Sequence, residues 1–264
     1  MKIVALVENM AAREDLQAEH GLSLYIEAAG RRVLFDMGQS GLFAENAEKL
    51  GVDLTMVDTA IVSHGHYDHG GGLETFLKIN GSAPVYLSRS AFDGHFNADG
   101  KDIGLDPRLR DNPRLRLTEG ITGLGDGLTL YAASNIGVCN PVADSGMTFT
   151  AGGVTVPEDF RHEQYLLIEE AGKRVLISGC SHKGILDIEN AFRPDVLVGG
   201  FHFFKLPVDQ ILTGYGKYLD GFETRYYTCH CTGAEQFDHL KQHMSRLNYL
   251  ACGQVLEISG DIWN

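Results

Sequence analysis

Positive charge is scarce in this chain. Lysine and arginine number 22 against 35 aspartates and glutamates, a net charge of −13 with histidine neutral. A protein that grips a polyphosphate backbone carries a basic face, so this balance argues against nucleic acid and against a nuclease, and favours small molecules. Long apolar runs are missing too. Nothing approaches the ~18 consecutive apolar residues of a membrane-spanning helix. The opening MKIVALVENMAARED has one lysine, a short apolar run and then charges, without the apolar region or cleavage pattern of a signal peptide. Cysteine is sparse and odd in number: Cys139, Cys180, Cys229, Cys231 and Cys252. Without a secretion signal, that points to free thiols in a reducing cytoplasm.

Glycine is what the chain has in plenty, with 32 in 264 residues, which signals tight turns or backbone lying close to a ligand. A chain of this length can form one large layered α/β domain whose core needs no metal or disulfide merely to fold. Residues 2–8, 22–28, 31–36, 59–63 and 83–88 read as strands. Residues 41–50 and 73–79 read as helices, the second with Leu73, Phe76 and Leu77 toward the core. A short Ala-Gly turn joins the second and third strands.

The second half echoes the first. LYIEAAGRRVL at 24–34 and LLIEEAGKRVL at 166–176 share eight of eleven residues, and each is followed by a short apolar strand ending in histidine, AIVSHGH at 60–66 and VLVGGFH at 196–202. Two β-rich halves packed sheet to sheet, with helices outside, are the expected architecture. Residues 89–119 stand apart. They are polar and hold Arg108, Arg110, Arg114 and Arg116, which reads as an insertion or lid over a site within a single domain spanning 1–264.

The densest chemistry lies in SHGHYDHGGG, 63–72, where His64, His66, Asp68 and His69 crowd six residues and three glycines follow. Histidines at i and i+2 cannot share a helix face, but in an irregular loop they can converge on one ion. Imidazole nitrogens and a carboxylate suit zinc or a similar divalent metal. The natural split is two adjacent ions, one on His64 and His66 and the other on Asp68 and His69.

HxHxDH after a buried strand resembles the metallo-β-lactamase superfamily. AEHGLSLYIE, LFDMGQSG, SHGHYDHGGGL, SGCSHKGI, GGFH and CHCTG together resemble one subgroup, dihydropterin–ribofuranosylaminobenzene phosphate synthases or metal-dependent hydrolases of superfamily type II. The likeness spans nearly the whole chain and is thinnest over 89–119. It implies a four-layer αββα sandwich, an enzyme with one or two divalent ions (zinc foremost, manganese or iron next), and metals at one sheet edge. By position, it implies metal ligands His64, His66, Asp68 and His69, an Asp36 that braces the metal loop, and a late ligand His230.

The middle ligands depart from the superfamily pattern. Cys180 stands where a bridging aspartate is usual, and His182 follows two residues later; His182 is the ligand expected, with Cys180 and His162 as alternatives. A surface position is the competing reading for His162, and His20, at the same place in the first copy, favours a structural role for both. Cys229 and Cys231 flank His230 and, on a strand, would point away from it. His202, at a strand end, is a candidate substrate contact. His239 and His243 fall off the core face of the C-terminal helix and are expected in solvent, while His95 is left open.

Asp68 is expected to orient the nucleophile as well as bind metal, and Arg110 and Arg114 to hold an anionic substrate. Four functions remain in play: a hydrolase or transferase of a small, phosphorylated or otherwise anionic molecule, a synthase-like transfer displacing diphosphate from a pterin, a diiron redox protein and a non-catalytic binding protein. The diiron reading places glutamate where this chain has His66. No nucleic-acid or membrane partner is expected, and the oligomeric state, a homodimer included, is left open.

Overall fold

The run KIVALV buries both of its faces. Val4, Leu6 and Val7 join one apolar cluster, while Ile3 and Ala5 join another. Side chains alternate across a strand, so a continuous apolar strand must lie between two layers, and this one does. In the computed structural model, which describes residues 1–136 and 146–259, it belongs to a seven-stranded sheet. In order across, that sheet runs Val255–Glu257, Lys2–Val7, Ser23–Ala28, Arg31–Phe35, Thr59–Ile61, Val85–Ser88 and Leu115–Thr118. A second seven-stranded sheet runs Ile121–Gly125, Leu128–Ala132, Gln164–Glu170, Lys173–Ile177, Val196–Gly199, Arg225–Thr228 and Leu247–Tyr249.

Read in those directions, both sheets have three antiparallel pairings followed by three parallel ones. The echo in the sequence is therefore an echo in topology. Its clearest mark is the hairpin turn. Ala29 and Gly30 sit at φ 50° and 74°, Ala171 and Gly172 at φ 50° and 76°, the paired positive φ of a tight turn whose twist matches the strands it joins.

The sheets pack face to face through Ile3, Leu24, Ile26, Val33 and Phe35 on one side and Leu130, Leu166, Ile168, Val175 and Val198 on the other. Helices Leu42–Lys49 and Leu73–Ile79 cover the outer face of the first sheet; Ile185–Phe192, Gln210–Asp220 and Ala234–Lys241 cover that of the second. The result is the expected αββα sandwich.

Helix 42–49 buries Leu42, Phe43, Asn46 and Ala47, while Ala44 and Leu50 are only partly buried. Asn46 is drawn inward because its amide donates to the carbonyls of Leu6 and Gln17. Residues 89–119 divide between structures. Gly94–Phe96 pairs with Thr148–Ala151, which pairs with Val154–Pro157, in a small third sheet, and Leu115–Thr118 is an edge strand of the first large sheet.

Candidate metal centre

Five parallel-bonded strands deliver the chemistry from their carboxyl ends, where open α/β sheets place ligands. Asp36 follows strand 31–35, His64 to His69 follow 59–61, Cys180 and His182 follow 173–177, His202 follows 196–199 and His230 follows 225–228. The turns that aim these side chains are strained. Asp36, Ser181, His202 and His230 take φ of 60°, 58°, 55° and 48°, a region that costs non-glycine residues about 1–3 kcal/mol and clusters at functional sites.

Asp36 sets two imidazoles at once. It is fully buried; its Oδ1 accepts from the Ser63 backbone N–H at 2.6 Å, and its Oδ2 faces His69 Nδ1 at 2.6 Å and accepts from Ser63 Oγ at 2.7 Å. The Ser63 hydroxyl, having given its proton to Asp36, accepts from His64 Nδ1 at 2.8 Å. Both rings therefore hold a proton at Nδ1 and turn Nε2, the atom left to bind metal, into the cavity. His230 is set likewise: Nδ1 donates to Asn9 Oδ1 at 2.9 Å and its backbone N–H to Glu8 Oε1 at 2.6 Å. Glu163 fixes the opposite wall, accepting from the backbone N–H groups of His182 and Lys183.

These atoms then face one another. His64 Nε2 lies 3.3 Å from His182 Nε2, and His66 completes that group of three. His69 Nε2 lies 3.2 Å from His230 Nε2 and 3.8 Å from Asp68 Oδ2, with His230 Nε2 3.2 Å from Asp68 Oδ2. Tetrahedral zinc with ligands at ~2.0–2.2 Å has donor-to-donor edges of about 3.3–3.6 Å. Donor atoms this close repel unless a proton or a cation lies between them, so once the His69 proton is displaced the donor set fits a divalent metal. Cys180 Sγ adds a seventh neighbour, 3.1 Å from His69 Nε2. The middle-ligand alternatives thus face different donor groups, His182 toward His64 and Cys180 toward His69.

His162 is fully buried rather than at the surface. Its Nδ1 accepts from Gly65 N–H at 2.7 Å, and it stands behind the metal loop. His20 does not share that placement. It is half exposed, with Nε2 3.2 Å from Asp68 Oδ2, and it lines the cavity. Cys231 also lies in the cavity wall, grouped with Cys180 and His202, because the chain leaves the strand at Thr228 and residues 230–232 form a tight helical turn. Strand alternation does not apply there. His20, expected to be structural, and Cys231, expected to point away from His230, both line the cavity instead, and Asn9 and Glu8 were not singled out from the sequence. Their only signal was proximity to strand ends, which becomes informative once the topology is known.

The cavity holds about 240 Å³ and is lined also by Tyr67, Asn97, Ile103, Met147, His202, Phe204 and Lys205. Arg110 and Arg114 are not in its wall. Arg110 is exposed, and the Arg114 guanidinium donates to the carbonyls of Leu77 and Asn80 beside helix 73–79. His239 is half-buried, its Nε2 2.8 Å from Thr213 Oγ1, and His243 is half-buried beside it. Cys180, Cys229, Cys231 and Cys252 are free and buried; Cys139 lies outside the described residues.

Burial dominates the titration. It pushes His66 down to about 3 and holds His64 and His182 well below the usual imidazole range, with neighbouring imidazoles adding to the effect for these two. His69 is opposite: burial opposes its charge, but Asp36 and Asp68 raise it to about 9. An imidazole depressed from ~6.5 gives the unfolded chain the greater proton affinity at acid pH. Its stability contribution is then present above pH ~6.5 and lost as pH falls, at ~1.4 kcal/mol per unit for His66 alone. His69 adds no slope below pH ~6.5, where both states hold its proton. Metal-stripped protein should therefore lose thermal midpoint steeply between about pH 6.5 and 4.5. A melt series flat over that range would contradict the buried neutral cluster.

Residues 17–146 match the family model described as the metallo-beta-lactamase superfamily. The chain is 27% identical to an uncharacterized protein, MJ0448, of Methanocaldococcus jannaschii, over 98% of this chain and 99% of that one. It is 26% identical, over 94% of both chains, to the 7,8-dihydropterin-6-methyl-4-(beta-D-ribofuranosyl)-aminobenzene-5'-phosphate synthase of the same organism. Among solved structures it resembles Tm1679, a metal-dependent hydrolase of the beta-lactamase superfamily, at 29% identity and TM-score 0.83, over 98% and 99% of the two chains.

Proposed function

From the premise that this chain carries a metallo-β-lactamase superfamily domain, we propose that it is a metal-dependent hydrolase of a small anionic molecule, using one or two divalent ions, zinc first and manganese or iron next. The observation that carries this reading is the 3.2–3.8 Å spacing of the donor atoms of Asp68, His69 and His230, beside the 3.3 Å approach of His64 and His182. When bound, such ions polarise a carbonyl or phosphoryl oxygen and make water a nucleophile near neutral pH.

The chain's own residues supply the rest. His64, His66 and His182 would hold one ion, and Asp68, His69 and His230 the other. Asp68 also has His20 on its outer side, so its carboxylate can orient an attacking water toward the cavity. Ile103, Met147 and Phe204 exclude bulk water, and Lys205 at the mouth with His202 on the wall offers contacts to an anionic group.

A second reading, transfer with loss of diphosphate from a pterin, draws on the synthase relative alone, at 26% identity. Iron redox chemistry suits a carboxylate-rich donor set better than this histidine-rich one. A non-catalytic binding role would follow from lost ligands, and every donor of the HxHxDH motif is in place. Buried free thiols support a reducing, cytoplasmic setting; among the described residues no helix is long and apolar enough to cross a membrane.

Purified protein should carry about one to two equivalents of divalent metal by elemental analysis. Stripping them with a chelator should remove activity against whichever ester, lactone, thioester or pterin diphosphate in a substrate panel is turned over, and metal should restore it. Less than about a tenth of an equivalent, not raised by soaking in zinc, manganese or iron, would overturn the proposal.

A further inference from the structure

Behind the metal loop lies a second buried cluster that the proposed reaction does not use: His95, Glu158 and His162, side chains 1%, 1% and 0% exposed. Glu158 Oε2 lies 2.7 Å from His95 Nδ1 and Oε1 lies 3.7 Å from His162 Nε2, while His95 Nε2 faces the Ser90 carbonyl at 3.3 Å. The two imidazoles stack at 3.9 Å. With His66 these residues form a group whose ligand-capable atoms all lie within 4.8 Å of one another. A cation shared by all four is excluded by Gly65. Its N–H donates to His162 Nδ1, which places the lone pair there and the proton on Nε2, the atom that would have to ligate.

His66 belongs both to this group and to the group with His64 and His182, and its Nε2 is buried without a hydrogen-bond partner. The His66 ring packs against both imidazoles that Glu158 holds, its centroid 5.7 Å from His95 and 5.0 Å from His162, and His162 also takes the Gly65 N–H, so the carboxylate acts on the loop through these two rings. We infer that Glu158 is a positioning residue for the metal centre: with His95 and His162 it holds His66 and the Gly65 backbone in the geometry that binds metal. The link is mechanical as well as electrostatic. His95 lies on strand 94–96; its carbonyl accepts from Ile103 N–H, and the Ile103 carbonyl accepts from Tyr67 N–H at the start of the helix bearing Asp68 and His69. The small third sheet is thereby tied to both sides of the loop.

This inference rests on the metal-binding reading above, and its test separates the two. Zinc affinity of metal-stripped wild type and of Glu158→Gln is measured by competition with a chelating dye, beside the thermal midpoint of each apo-protein. The expected result is an apo midpoint within about 5 °C of wild type, zinc affinity ~10–100-fold weaker for one equivalent, and shifted ligand-field bands in the cobalt-substituted variant. Zinc affinity within twofold of wild type with unchanged cobalt bands would overturn it and leave the cluster as packing. Should Glu158→Gln fail to fold, His95→Gln, which leaves the carboxylate but removes its partner, carries the same expectation and the same refutation. A wild-type protein that binds no metal would instead overturn the proposed function, and this inference with it.

Discussion

Replacing His182 by alanine should remove one metal equivalent and lower turnover by ~10³-fold or more, about 4 kcal/mol of lost transition-state stabilisation, while Cys180→Ala keeps both equivalents and stays within about tenfold of wild type. The sequence set these residues against each other as candidates for one position. In the fold they face different partners: His182 Nε2 approaches His64 Nε2 at 3.3 Å, and Cys180 Sγ approaches His69 Nε2 at 3.1 Å.

The group of His64, His66 and His182 has three imidazoles, so losing His182 leaves two, beside the Cys180 thiol that also groups with His64 and His69. The group around His69 already has Asp68 and His230, so Cys180 is a fourth neighbour whose loss leaves three. Burial also pushes the Cys180 thiol well above its ordinary range, which favours its protonated, non-ligating form. A thiolate would also donate charge and weaken the acidity that hydrolysis needs. Metal content and kcat of the two variants decide the matter. If Cys180→Ala strips metal and His182→Ala does not, the two donor groups are misassigned.

Asp36→Ala should weaken metal binding ~10–100-fold and cost about 3–5 kcal/mol of stability. The family resemblance implies only that Asp36 braces the metal loop. The structure raises the stakes because Asp36 is fully buried and serves three donors: the Ser63 amide, the Ser63 hydroxyl and His69. Without the carboxylate, the amide is orphaned, the hydroxyl loses the acceptor that sets its direction, and His64 and His69 lose the contacts that fix their tautomers. Alanine also tolerates φ of 60° poorly. Asp36→Asn keeps one acceptor and suits that backbone, so it should lose less stability while still weakening metal binding. Chelator competition and urea unfolding of both variants check this. Unchanged metal affinity in Asp36→Ala would remove Asp36 from the metal centre's support.

The sequence by itself determined the layers and the first donors. A strand with both faces apolar, two copies of one hairpin and helices with single apolar faces leave little but a sandwich, because alternation and helical period are local properties of the chain. HxHxDH was legible for the same reason: its ligands lie within six residues, and no distant contact is needed to bring them together. The later donors were harder, since His182 and His230 meet the loop only after crossovers of more than a hundred residues. Which of them faces which partner depends on turns held at positive φ, and no residue type announces that strain.

Tertiary structure alone decided the rest. His20 and His162 occupy matching places in the two copies, yet the packing of the sheets puts one at the cavity mouth and the other behind the loop. Arg110 and Arg114 looked like anion binders, but edge strand 115–118 carries Arg114 toward helix 73–79 and away from the cavity. Glu8 and Glu158 became part of the metal centre's support only through burial, and Asn9 only through the approach of His230, none of which composition and spacing record.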